Sequence, residues 1–231
     1  MDPYKPTDVT PPELQPQALE TKVPDWAEAA PTPDAVTDWP ARQAAAMVRF
    51  ELDDSGWPLN PAGRTGTTGR RLGKWAENAA ADAIVVAGNG PARQVLLITR
   101  DDIGVAATPG GMIEDADRTA GDDPDKTVEN ALLRELLEET GVDLRGHQPI
   151  ILGRQVVDDW RNTDQAWVAS AYGLIQLTAT VPAVGADDAR DALWWPFASL
   201  DQLDAALAAD GRTLYAAHRP LLQAALDHLA Q

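Results

Sequence analysis

No cysteine occurs among the 231 residues, so disulfides, thiolate nucleophiles and cysteine-bound zinc are excluded. Histidine is scarce. His147, His218 and His228 stand at no spacing that would gather a metal, which removes a polyhistidine centre. Positive charge is also short: Lys and Arg number 19 against 36 Asp and Glu, for a formal net charge of −17. Such a surface repels polyanions and argues against nucleic acid and anionic membranes as partners. No apolar run approaches the ~20 residues that a membrane-spanning helix needs. The opening stretch MDPYKPTDVTPPELQPQ has neither the basic and apolar regions of a secretory signal nor the arginine-rich character of a transit peptide. The expectation is a soluble, cytoplasmic protein, with its oligomeric state left open.

What is present is an ordinary globular balance, 44% hydrophobic and 24% charged, enough for one substantial core and a smaller second region. Residues 1–40 are proline-rich and read as an extended arm packed at Trp26 and Trp39. Residues 41–81 form an N-terminal subdomain, with a strand expected over 44–52 and a turn-rich stretch after it. From about residue 83 the pattern changes to short apolar runs bounded by Gly, Pro and Asn: AIVVAG, QVLLITR (94–100), PIILGRQVV (149–157), AWVASAYGLIQL (166–177) and ALWWPF (192–197). These are strands. TVENALLRELLEETG is a helix with Leu132, Leu133, Leu136 and Leu137 on one face and Gly141 as its stop. SLDQLDAALAADG, capped by Ser199 or Asp201, and PLLQAALDHLA are two further helices. The class is α/β: a mixed sheet covered by helices on both faces over residues 82–231.

Within that central helix, RELLEETG sets Glu135, Glu138 and Glu139 at i, i+3 and i+4 on one face, near the negative end of the helix dipole. Mutual repulsion makes this arrangement costly, and a bound cation relieves it. Oxygen donors without Cys or His favour a hard ion, Mg²⁺ or Mn²⁺. Upstream, ATPGGMIE (107–114) carries Gly110–Gly111, which let the backbone approach a ligand closely.

This glycine loop followed by RELLEETG resembles the Nudix box. Its second half is matched completely by Arg134, Glu135, Leu136, Glu138, Glu139, Gly141 and Val142. Two departures stand in the first half. The family glutamate falls on Lys126 when counted back from Arg134, and on Asp117 when counted forward from Gly111. The acidic insertion over 112–125 separates the two, and either Asp117 or Asp125 could substitute. The resemblance implies the Nudix fold, metal held by Glu135, Glu138, Glu139 and the Gly110 carbonyl, and Arg134 orienting the glutamates.

Three more stretches, NPAGRTGTTGRRLGKWAENAAAD (60–82), VVDDWRNTDQAWV (156–168) and GADDARDALWW (185–195), with LYAAH (214–218), are similar to the ADP-ribose pyrophosphatases of animal mitochondria. They are equally similar to the ADP-ribose-sensing domain of melastatin-type channels. Ala79 and Ala106 depart from that pattern. The implied activity is hydrolysis of a small nucleotide, ADP-ribose, to AMP and ribose 5-phosphate. Asp187 or Asp188 then acts as general base, and Arg64, Asn78, Asp158, Arg161, Asn162, Asp164 and Trp167 bind substrate. Asn162 and Asp164 suit ribose hydroxyls, and Arg161 suits a phosphate. The alternatives are a non-catalytic ADP-ribose sensor and a hydrolase of NADH or a nucleotide sugar.

Overall fold

The computed structural model describes residues 4–118 and 123–231. Residues 119–122 of the acidic insertion lie outside the described residues. The chain divides into two compact units. One comprises residues 1–79 and 154–170, the other residues 80–153 and 171–231.

In the first unit, the proline-rich segment is not simply extended. It carries strand β1 (Thr7–Asp8), helix α1 (Pro16–Thr21) and isolated 3₁₀ turns at Pro12–Leu14 and Pro33–Ala35. Prolines sit in the first turn of each helical piece, where a missing N–H costs nothing. β1 pairs in parallel with β2 (Thr67–Thr68), Thr7 opposite Thr67. The strand expected over 44–52 is absent. Helix α2 (Trp39–Ala45) takes the alanines, and the amides of Met47 and Val48 donate to the Glu77 carboxylate at 2.8 and 2.9 Å. Amides committed to a side chain cannot join a ladder. Phe50 and Trp167 meet edge to face, with ring centroids 5.3 Å apart, in the small core of this unit.

The principal sheet has seven strands. β3 (Ala76–Ala87), β4 (Gln94–Arg100), β5 (Ala106–Ala107), β6 (Gly110–Met112), β7 (Ile150–Val156), β8 (Ala166–Leu177) and β9 (Ala189–Pro196) run in the order β5-β4-β3-β8-β7. β9 pairs with β4, and β6 with β3. β3 begins earlier than the sequence pattern suggests, because the small residues before Ile84 pack as readily as the β-branched ones after it; ten of its twelve residues are buried.

Helices α3 (Pro124–Thr140), α4 (Leu200–Ala209) and α5 (Arg219–Leu229) cover the sheet on both faces. Neighbouring strand residues point to opposite faces. Gly173 of β8 faces Leu132 of α3; a methyl at Gly173 would stand 2.9 Å from that side chain. Its neighbours Tyr172 and Leu174 join the core cluster formed with Leu203, Leu207, Leu221 and Leu222 of α4 and α5. Among the described residues no helix is long and apolar enough to cross a membrane.

Candidate active site

α3 is fixed at both ends by local chemistry. Asp123 caps its start by accepting the amides of Asp125 and Lys126. Gly141 ends it at φ 67°, the left-handed conformation glycine adopts without a Cβ penalty. Val128, Ala131, Leu132, Leu133 and Leu136 are buried as the leucine pattern requires. Glu139 is buried as well, 3% exposed, while Glu138 is exposed, so the acidic face runs from solvent into the fold.

The glycine loop lies against this face. The Gly110 amide donates to Oε2 of Glu139 at 2.8 Å. A methyl on Gly111 would collide with the Glu135 carboxylate, and one on Gly110 would lie 2.5 Å from the Ala81 carbonyl oxygen. Only glycine allows both strand pairing to β3 and this approach to α3.

Arg134 ties the acids together. Its Nε and Nη2 donate to the two carboxylate oxygens of Asp117, both at 2.9 Å. Nη1 reaches Glu135 at 3.0 Å and Glu138 at 2.8 Å, and Nη2 also reaches the Met112 carbonyl at 3.1 Å. Asp117, 3% exposed, accepts the Glu114 amide too. The two-point fork makes this the strongest geometry available to an arginine and a carboxylate, and the Arg134 guanidinium is held protonated well above its ordinary range, first by Asp117. Of the two acids that could replace the first-half glutamate, Asp117 is the one at Arg134. Asp125 sits exposed in the first turn of α3, and Lys126 pairs with Glu129 at 2.7 Å on the helix surface.

The loop before β9 closes the far end of the site. The amides of Val184 and Ala186 donate to the carbonyls of Thr140 and Glu139 at 2.9 and 3.0 Å, satisfying acceptors that the end of a helix leaves free. Asp188, in the same loop, stands close enough to the Glu139 carboxyl to raise its proton affinity. Burial first, then Asp188, pushes the Glu139 carboxyl up to about 9. Burial likewise pushes Glu135 up to about 7, against the lowering pull of Arg134. Asp187 is one of two non-glycine residues at positive φ among the described residues, at 53°. The structure therefore brings Arg134, Glu135, Glu138, Glu139, Gly110 and Asp188 together, with Asp187 in the same loop.

Do these residues suit a divalent ion? Among the described residues no three acidic or histidine side chains already converge on one point, since Glu135 and Glu138 are turned to Arg134 and Glu139 to Gly110. The donor set nevertheless consists of oxygens, crowded and partly desolvated, which is the chemistry Mg²⁺ and Mn²⁺ prefer.

A neighbouring polar cluster joins the ends of two of the matching stretches, 60–82 and 214–218. Asp82, the one acid in the buried run AAADAIVVA, lies 3.6 Å from Nε2 of His218. Nδ1 of His218 accepts the Thr108 amide at 3.1 Å, so the ring proton resides on Nε2, facing Asp82. A lone acid in an apolar strand was the available signal.

The remaining candidates all belong to the first unit. Asn78 is consumed locally: its oxygen accepts the Lys74 amide, and its nitrogen donates to the carbonyls of Lys74 and Ala76. Asn162 donates to the Val157 carbonyl at 2.7 Å and accepts the Val168 amide at 2.8 Å. Asp164 accepts the Thr65 amide at 2.7 Å and hydroxyl at 3.0 Å, and the Tyr4 hydroxyl at 2.6 Å. Arg161 forks onto Asp159, both contacts at 2.8 Å. Arg64 lies over the Tyr4 ring at 4.1 Å, and Asp158 is exposed. Trp167 is 0% exposed, inside the Phe50 core. AGRTGTTG and RNTD thus interlock, each satisfying the other's polar groups.

Comparison with known proteins agrees with this geometry. Residues 77–217 match the NUDIX domain family and residues 1–76 the NUDT9-like N-terminal domain. A Caenorhabditis elegans protein carrying the name nudix hydrolase 6 is 34% identical over 59% of this chain and 55% of its own length. The mitochondrial ADP-ribose pyrophosphatase of Rattus norvegicus is 33% identical over 52% of this chain and 40% of its own. The chain therefore spans about half or less of these relatives. Among solved structures, the NUDIX domain of Shewanella oneidensis NrtR complexed with ADP ribose superposes with a TM-score of 0.50 at 21% identity, over 67% of this chain and 89% of that one.

Proposed function

Because the chain belongs to the Nudix hydrolase family, we propose that it hydrolyses ADP-ribose to AMP and ribose 5-phosphate with the aid of a divalent cation. The observation that carries the reading is the gathering of Glu135, Glu138 and Glu139 from one face of α3 against Gly110–Gly111, with the loop that carries Asp188 tied to the end of the same helix. Similarity to an ADP-ribose pyrophosphatase supports the choice of substrate.

Glu135, Glu138 and Glu139, with a carbonyl of the glycine loop, would hold Mg²⁺ or Mn²⁺. Bound there, the ion supplies charge against the diphosphate and acidifies water. The chain's own residues do the rest. Arg134 sets the directions of Glu135 and Glu138 while Asp117 anchors Arg134 itself, so the carboxylates meet substrate in fixed positions. Water attacks one phosphorus and its proton passes to a carboxylate oxygen of Asp188. The bridging oxygen departs with the other phosphate, leaving AMP and ribose 5-phosphate. Asp188 is preferred to Asp187 because it is the acid whose charge acts on Glu139.

The test is Mg²⁺-dependent release of AMP from ADP-ribose by the wild type and by Glu138→Gln. The substitution should lower turnover at least ~100-fold, about 2.7 kcal/mol of barrier. Unchanged turnover in a folded variant removes the assignment. Faster cleavage of NADH or a nucleotide sugar in the same panel would move the substrate, and tight ADP-ribose binding without product would make the chain a sensor.

A further inference from the structure

Trp160 is 65% exposed, an unusual place for the largest apolar side chain. It interrupts the polar run Asp158-Asp159-Trp160-Arg161-Asn162 in the first unit. It is not loosely displayed. Nη1 of Arg71 donates to the Trp160 carbonyl at 2.8 Å, and the same guanidinium lies over the indole, 5.5 Å from the ring centroid. The loop on either side is equally pinned, by Asp159 holding Arg161 and by Asn162 bridging Val157 and Val168. The ring is thus under a cation while the residue as a whole stays 65% exposed. Among the described residues Arg71 has no carboxylate within ion-pair distance, in a chain where acids outnumber bases 36 to 19.

We infer that Trp160 and Arg71 form a stacking platform for the base of a nucleotide, with the unneutralised Arg71 charge serving the adjoining phosphate. The inference rests on the reading of the chain as a nucleotide hydrolase, which makes a nucleotide the ligand to test. The chemistry selects that ligand. A rigid, half-open indole offers a π-face that any base can cover, and a cation stacked against it favours an anionic ligand. A sugar phosphate alone has the charge and lacks the ring. A nucleotide has both. Holding the indole in place beforehand also reduces the entropy lost on binding.

Calorimetry with AMP and with ribose 5-phosphate, each in the presence of Mg²⁺, tests the platform on the full chain. Trp160→Ala should weaken AMP about 10- to 100-fold, the usual consequence of losing one base–aromatic stack, while ribose 5-phosphate affinity is unchanged. Trp160→Phe, which keeps a π-face, should recover most of the AMP affinity. As a surface position, residue 160 tolerates these changes without loss of fold, and circular dichroism verifies it. AMP affinity unaltered by Trp160→Ala, AMP failing to bind the wild type, or AMP and ribose 5-phosphate weakened equally, each overturns the platform. Turnover of ADP-ribose, measured alongside, separates the two readings: hydrolysis with an unaltered AMP affinity sinks the platform alone, and absence of hydrolysis with AMP held by Trp160 sinks the substrate alone.

Discussion

In residues 1–79 and 154–170, Asn60, Asn78, Asn162, Thr163 and Asp164 each meet backbone amides or carbonyls that they satisfy at 2.6–3.2 Å. In residues 80–153 and 171–231, Glu135 and Glu139 are buried beside other acids and sit far above the ordinary carboxylate range. Both sets are polar and sheltered, yet the first set meets donors and acceptors that suit it, while the second crowds carboxyl groups against one another. A matched buried group stabilises the fold. A mismatched one costs stability and marks a place where something else completes the electrostatics. On the proposed function, the first set holds loops in place and the second does chemistry, so substitutions should read out as stability in one unit and as rate in the other.

The sharpest stability test is Arg70→Ala. Arg70 is 0% exposed, donates to the carbonyls of Gly73 and Glu28, and lies 3.4 Å from the Glu28 carboxylate. Removing it should cost about 3 kcal/mol in urea denaturation. A loss under 1 kcal/mol would break the comparison from this side. The Glu138→Gln variant is its counterpart: the rate falls, but stability should move by no more than about 1 kcal/mol, because a half-exposed pair with Arg134 contributes little.

Next comes Asp164→Ala, which strands the Thr65 amide, the Thr65 hydroxyl and the Tyr4 hydroxyl. About 2 kcal/mol of stability should be lost. Were Asp164 instead a ribose ligand whose local bonds matter little, stability would hold and the KM for ADP-ribose would rise.

The smallest effect is a pH dependence of stability in chelator. Glu135 and Glu139 bind protons more tightly folded than unfolded, so their contribution is fully present below the ordinary carboxylate range. It is lost as pH rises through about 7 and then about 9. The chelated protein should be less stable at pH 9 than at pH 6, measured by urea denaturation. Glu139→Gln, neutral throughout, should flatten the upper part of that decline. Saturating Mg²⁺ should raise the melting temperature more at pH 9 than at pH 6, since metal and protons compete for the same oxygens. A flat profile in chelator would show that these acids are not strained.

Local patterns made α3 legible. Its leucine spacing, the Gly141 stop and the i, i+3, i+4 glutamates are properties of a few consecutive residues, and the helix forms as read. The choice between Asp117 and Asp125 was not legible, because it depends on how a turn at 115–117 folds back onto Arg134. Residues 44–52 failed for a related reason: Glu77, thirty residues away, captures two amides that a strand would have used. Trp167 is a similar case. Nothing in RNTDQAW distinguishes a tryptophan that lines a surface from one that closes a core against Phe50.

The sequence by itself determined the Nudix-like helix, the glycine pair that can approach it, the clustering of its carboxylates and the absence of any thiol. Those are matters of residue type and short-range periodicity. Only the tertiary structure decided which acids are buried, which arginine is matched by which carboxylate, and that Asp188 reaches Glu139. A carboxylate's proton affinity depends on its desolvation and on charges brought near from distant positions, and neither exists until the chain has folded.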